Sequence, residues 1–246
     1  VIRSRFVHCW GIAESRIGEL LADHFSELDH NPNITIAFLA NVERGVSVRI
    51  TVNVDTPDAA NQLLNDEESK IRSILGQYVF GIDDETIESA IGDLLANRGL
   101  TVALAESLTG GMIASRLCAV PGTSAWMRGG VVAYASDVKF DVLGVEKGPV
   151  VTQKAAVEMA IGVQKLLKAS MGLGITGVAG PTEQEGKPVG TVYAAIAVAD
   201  SGRDSVESPG PEVLQFHWNL RGDRHYIRAL ATMNLLDALR VALLNP

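Results

Sequence analysis

Four near-continuous apolar runs constrain the fold of this chain most: "LTVALAE" (100–106), "GGVVAYA" (129–135), "MGLGITG" (171–177) and "GTVYAAIAVA" (190–199). Strands with one solvated face alternate polar and apolar residues. Unbroken apolar runs of this length belong to strands buried on both faces, as in sheets covered by helices. Helical stretches separate the first three runs. The clearest is "TQKAAVEMAIGVQKLLKAS", where Thr152 is placed to cap the helix. "EVLQFHWNL" reads as a further strand and "RHYIRALATMNLLDALRVALL" as a long closing helix. The pattern predicts an α/β fold: a three-layer α/β/α domain with a mixed sheet.

The first 77 residues read differently, as a small α/β unit in the order β-α-β-β-α. Ile17, Leu20, Leu21 and Phe25 fall at i, i+3, i+4 and i+8, the stripe of an amphipathic helix. "NITIAFLA" and "VSVRITVNV" are rich in β-branched residues and read as strands joined by a turn at 41–45. "DAANQLLNDEESKIRSILG" reads as a helix closed by Gly76. The expected organisation is therefore a small domain at 1–77, a hinge at 78–84 and a larger domain at 85–246. Asp84 is the expected cap of a first helix in the larger domain, which ends at Gly99.

Composition narrows the function classes. A 47% hydrophobic and 20% charged chain has a real core. Its net charge of -8 argues against a nucleic-acid coat or an anionic membrane surface as partner. Two distant cysteines, Cys9 and Cys118, point to a reducing, cytoplasmic setting. The five histidines show no metal-ligand spacing, so no metal and no cofactor are expected. No apolar run reaches the ~18 residues of a membrane span, and the N-terminus has no long apolar stretch of a signal peptide.

Polar residues gather where the larger domain's strands end. Ser107 and Thr109 follow the first run, Tyr134 and Ser136 end the second with Lys139 just beyond, and Thr176 and Gly177 end the third. Ligands of open α/β sheets bind at the carboxyl ends of parallel strands. Ser107 needs a base to act as a nucleophile, and no histidine lies near these ends. Lys139 can serve if its pKa falls from ~10.4 towards ~7–8. Tyr134 can orient or relay the proton. The backbone N–H groups of Gly110 and Gly111 can bind an oxyanion or phosphate at a helix start. The plain alternative is a serine that caps this helix, with Lys139 on a solvated face.

Other motif readings fail. Tyr134 to Lys139 is Y-x4-K rather than Y-x3-K, "GITGVAGP" is not GxGxxG, no phosphate-binding GxxxxGK[ST] exists, and Ala105 breaks any G-x-S-x-G elbow. The carboxylates Asp83 with Asp84, and Asp66 to Glu68, read as solvated helix caps and faces. The loop 177–190 reads either as a lid or as an ordinary surface loop. Arg221, Arg224 and Arg228 suit phosphate recognition, or else surface ion pairs with nearby acids.

"GDLLANRGLTVALAESLTGG", "GGVVAYASDVK", "GITGVAGP" and "KPVGTVY" resemble the CinA C-terminal family over residues 84–244. The resemblance implies deamidation of nicotinamide mononucleotide to nicotinate mononucleotide and ammonia. It implies Ser107 as nucleophile with Tyr134 and Lys139 as catalytic partners. It implies substrate contacts at Thr176 and Arg224, and Thr109, Gly110, Gly111 and Gly177 are the further residues expected to bind substrate. One departure is Leu108, where the family commonly has cysteine. The rival reading is a non-catalytic pyridine-nucleotide-binding or regulatory module. A homo-oligomer is expected by family likeness.

Residues 1–77 resemble the KH-like middle segment of full-length CinA proteins, a likeness carried by "WGIAESRIGELL" and "ILGQYVFGIDDET". Full-length members carry a further N-terminal domain resembling molybdopterin-biosynthesis proteins, which the resemblance does not find in this sequence beginning at Val1. KH folds often bind RNA through a GxxG loop, and residues 1–77 contain none. They carry eleven acidic against seven basic residues, a poor match for a phosphate backbone. The expected role is connection or oligomerisation, with a small nucleotide as partner rather than nucleic acid.

Overall fold

A computed structural model describes residues 1–28, 31–41, 45–199 and 212–245. The chain divides into two compact units, Val1–Ala90 and Ile91–Pro246.

The first unit is built on a four-stranded antiparallel sheet. Its strands are β1 (Ile2–Cys9), β2 (Ile34–Asn41), β3 (Gly45–Asn53) and β4 (Val79–Ile82), in the order β2-β3-β1-β4. Alternation decides which face is covered. Val7 and Cys9 of β1, and Val48, Ile50 and Val52 of β3, point inward. They pack against Ile17, Leu21, Ala60, Leu64, Ile71 and Leu75 of the helical layer. That layer is α1 (Glu14–Leu20), α2 (Ala22–Leu28) and α3 (Pro57–Leu75). Thr56 caps α3 by accepting from the Ala59 N–H at 3.2 Å, and Gly76 closes it at φ +53°.

Three expectations for this region are corrected. The amphipathic stripe from Ile17 to Phe25 is two short helices that break at Leu21. Residues 78–84 are not a connector throughout, because β4 pairs with β1 through Val7–Ile82 and His8–Gly81. Glu67 and Glu68 are not solvated: Glu67 is buried against His24, at 2.7 Å, and Glu68 binds Arg5 and Arg72, each at 2.7 Å.

Helix α4 (Ile87–Arg98) begins at a reciprocal cap, with Thr86 accepting from the Ser89 N–H and Ser89 accepting from the Thr86 N–H. Asp84 is therefore not its cap.

The second unit holds a five-stranded mixed sheet, ordered β6-β5-β7-β8-β9. Its strands are β5 (Val102–Glu106), β6 (Met127–Val132), β7 (Met171–Gly177), β8 (Thr191–Val198) and β9 (Glu212–Asn219). Strands β6, β5 and β7 are parallel, and β8 and β9 are antiparallel to their neighbours. The intervening helices are α5 (Met112–Cys118), α6 (Ser136–Leu143) and α7 (Gln153–Leu167), and α8 (Arg224–Leu244) closes the chain. Apart from β6, the strands expected to be doubly buried are almost wholly so. β6 is an edge strand with alternating exposure, and it ends before Tyr134.

The alternating glycines of β7 have a packing cause. A Cβ on Gly172 would lie 2.1 Å from the Ala160 carbonyl oxygen, and one on Gly174 would lie 2.3 Å from that of Ala156. Helix α7 thus lies directly on the β7 backbone, fixing the level at which β7 ends.

Candidate active site

The chain leaves β5 towards β6 on one side and returns to its other side as β7. β5 therefore stands where the strand order reverses, the place where α/β sheets open a crevice. The register sets the three strand ends level: Glu106 lies opposite Val132 of β6 and Ile175 of β7. The Ser107 N–H extends the ladder by one rung, to the Ile175 carbonyl at 3.0 Å. A cavity of about 320 Å³ opens beyond these ends, lined by Ser107, Leu108, Tyr134, Ser136, Lys139, Thr176, Gly177 and Arg224 among others.

The turn at 106–111 is held from below by Glu106. This side chain is 1% exposed, and its carboxylate accepts the N–H groups of Gly111 (2.9 Å), Ile113 (3.2 Å) and Ala114 (2.8 Å). A buried carboxylate thus satisfies the first turn of α5. The Gly110 N–H is also engaged, to the Ser107 carbonyl at 3.0 Å. Gly110 and Gly111, expected to offer donors to an oxyanion or phosphate, therefore have both N–H groups committed within the turn. Their backbone conformations, φ +61° and +92°, are what the turn requires of them. Thr109 is also corrected: it is fully buried, and it is not among the residues lining the cavity. The N–H groups of Leu108 and Thr109 make no hydrogen bond within the described residues.

Lys139 is not on a solvated face. It is 2% exposed, and its Nζ donates to the carbonyls of Ala133 (2.7 Å) and Tyr134 (3.1 Å). Burial pushes its pKa below the usual lysine range, and the negative charge of Glu185 acts in the opposite direction. A neutral amine has two N–H donors and one lone pair. In its deprotonated form Lys139 can give both donors to these two carbonyls and keep the lone pair for a proton. Lys139 forms no hydrogen bond to Ser107, although both line the same cavity.

Tyr134 stands at the rim, 57% exposed, and its hydroxyl is hydrogen-bonded to Arg224. Arg224 also donates to the Gly180 carbonyl at 2.7 Å. Arg228 donates to the carbonyls of Leu108 and Thr109. These two arginines thus bind carbonyls and a phenol, rather than the surface acids that were one expectation. Thr176 is buried and donates to the Val150 carbonyl at 2.9 Å. The 177–190 loop forms a wall of the cavity. Glu185 pins it by accepting the N–H groups of Val150 (3.1 Å) and Val151 (2.8 Å). Glu106 and Glu185 are the site residues that sequence reasoning passed over. Glu106 ends an apolar run at full burial, a signal present in "ALAESLTGG"; Glu185 sits in a polar loop with no local pattern to mark it.

The fold and the cavity define a mixed-sheet α/β domain with a serine and a buried lysine at its strand ends, preceded by a small α/β unit. Residues 84–243 match the CinA C-terminal domain, and residues 4–81 match the KH domain of the damage-inducible protein CinA. The chain belongs to the CinA family. It is 40% identical to a CinA-like protein of Frankia casuarinae over 98% of this chain and 54% of that protein. It is 41% identical to a putative competence-damage inducible protein of Desulforudis audaxviator over 81% of this chain and 48% of that protein. The chain thus spans about half the length of these curated relatives. A crystal structure of a CinA superfamily protein from Klebsiella pneumoniae superposes with a TM-score of 0.59 at 28% identity, covering 65% of this chain and 97% of its own. The competence/damage inducible protein CihA from Agrobacterium tumefaciens gives 0.56 at 32% identity, covering 65% of this chain and 96% of its own. Among the described residues, no helix is long and apolar enough to cross a membrane.

Proposed function

We propose that the chain is an amidohydrolase that converts nicotinamide mononucleotide to nicotinate mononucleotide and ammonia. The substrate follows from the motif resemblance. The observation that carries the chemistry is a buried lysine with carbonyl partners on the same cavity as Ser107. Ser107 Oγ attacks the carboxamide carbon and its proton passes to the Lys139 lone pair. The tetrahedral oxyanion is received by the free N–H of Leu108, the residue after the nucleophile. The intermediate collapses as Lys139 returns the proton to the departing nitrogen, which leaves as ammonia. Water then attacks the acyl-serine, gives its proton to Lys139, and the ester bond breaks to release the carboxylate and restore the serine hydroxyl. Arg224 and Tyr134 at the rim supply donors to the polar part of the nucleotide.

Ammonia release from nicotinamide mononucleotide tests this reading. The parent chain should release it, and Ser107→Ala, folded by circular dichroism, should fall by at least ~10³-fold. A folded parent that binds the mononucleotide without releasing ammonia would leave a binding module in place of an enzyme.

A further inference from the structure

Arg228 does not line the cavity, yet it is bonded to the nucleophile's own turn. It projects from α8 one helical turn beyond Arg224. Its Nε donates to the Leu108 carbonyl at 2.9 Å and its Nη2 to the Thr109 carbonyl at 2.8 Å. Gly110 makes room for this approach: a Cβ there would stand 3.2 Å from Nη2.

In a planar trans peptide the N–H points opposite to the C=O. Drawing the Leu108 carbonyl towards α8 therefore turns the Thr109 N–H away from α8. The Ser107 carbonyl is held by the Gly110 N–H, which fixes the Leu108 N–H in the same way. The peptide after Thr109 is tied at both ends, by Arg228 and by the Gly110–Ser107 bond. Of the two N–H groups left over, that of Leu108 belongs to a residue lining the cavity, and Arg228 bears on it through the Thr109 carbonyl, the Gly110 N–H and the Ser107 carbonyl in turn.

We propose that Arg228 is a positioning residue for the deamidation: by clamping the carbonyls of residues 108 and 109 it holds the turn that presents the Leu108 N–H to the oxyanion formed on Ser107 attack. This rests on the serine amidase reading. Two readouts on Arg228→Gln and Arg228→Lys separate the claims: steady-state ammonia release, and the rate at which a fluorophosphonate labels Ser107, whose phosphoryl oxygen needs the same donor. Arg228→Gln should lower kcat and the labelling rate by about 10²-fold each, with KM within about threefold. Arg228→Lys, which keeps the charge and part of the bonding, should recover part of both. A residue that served folding alone would lower the thermal midpoint without this split between kcat and KM. An active parent whose folded Arg228 variants label and turn over at the parent rate would overturn the Arg228 assignment alone. A parent that labels at Ser107 but releases no ammonia would overturn the substrate, and the labelling ratio would still decide Arg228. A parent that does neither would remove the nucleophile and the positioning role together.

Discussion

The buried polar side chains of the first unit and Lys139 of the second are held in opposite ways. In the first, each is closed by a partner. His24 is bonded to Glu67, which also binds Lys70, and the ring of His8 is held by Ser47 at 2.8 Å and by the Asp83 carbonyl at 2.7 Å. In the second, Lys139 is equally buried but is bonded only to two carbonyls, and Ser107 faces open space. Cavity size does not track this difference. The first unit has hollows of about 500 and 400 Å³, walled by such paired groups, against about 320 Å³ at the strand ends. A buried lysine that faces an opening without a directly bonded countercharge is what supports the proposal of a reactive site at these strand ends.

Removing that base gives the largest expected effect. Lys139→Met keeps the bulk and deletes the amine, and ammonia release should fall by about 10²–10⁴-fold. The parent's kcat/KM should rise with pH through the lowered lysine pKa, because only the neutral amine accepts the serine proton. Stability has a defined sign too. Between the lowered pKa and 10.5 the unfolded chain holds more protons than the folded one, so unfolding free energy rises with pH in that window. Urea denaturation across alkaline pH should show this rise in the parent and lose it in Lys139→Met. An equal slope in both would mean that burial does not lower the lysine pKa, and the contrast with the first unit would collapse.

Glu106 sharpens the same contrast from the side of structure. It is the second unit's counterpart to Glu67, a buried carboxylate with every bond spent, here on three N–H groups at the start of α5. Glu106→Ala strands those donors and should cost about 2–4 kcal/mol in urea denaturation. It should also loosen the Ser107 turn, so activity should fall even in the fraction that remains folded. Full activity per folded molecule would show that the turn is set by Arg228 and the glycines without Glu106.

Much of this was legible in the chain. Doubly buried strands announce themselves as unbroken apolar runs, so β5, β7 and β8 were readable, as were the caps Thr152 and Gly76. The serine, tyrosine and lysine line one cavity, which their places near strand ends suggested and their spacing alone did not state. Other features depend on partners distant in sequence. Whether Gly110 and Gly111 offer free N–H groups depends on where the Glu106 carboxylate turns, and nothing in "AESLTGG" states that. Arg228 lies more than a hundred residues from the carbonyls it clamps. "YVFGI" is too short and too glycine-bearing to read as a strand until β1 is beside it. Glu67 sits in a charged run whose helical phase, not its composition, turns it inward.

That phase makes Glu67 the subject of the smallest prediction. Glu67→Ala removes the acceptor of His24 Nε2 and of Lys70 Nζ, each at 2.7 Å. One buried hydrogen bond and one half-exposed ion pair are lost, together worth about 1–3 kcal/mol. The loss should be confined to the first unit. Hydrogen exchange should quicken in β1 and β3 and stay unchanged in β5 and β7, while ammonia release per molecule is unaltered. Parallel loss of exchange protection in β5 and of ammonia release would instead show that the closed pairs of the first unit support the open site of the second, and the division between them would no longer hold.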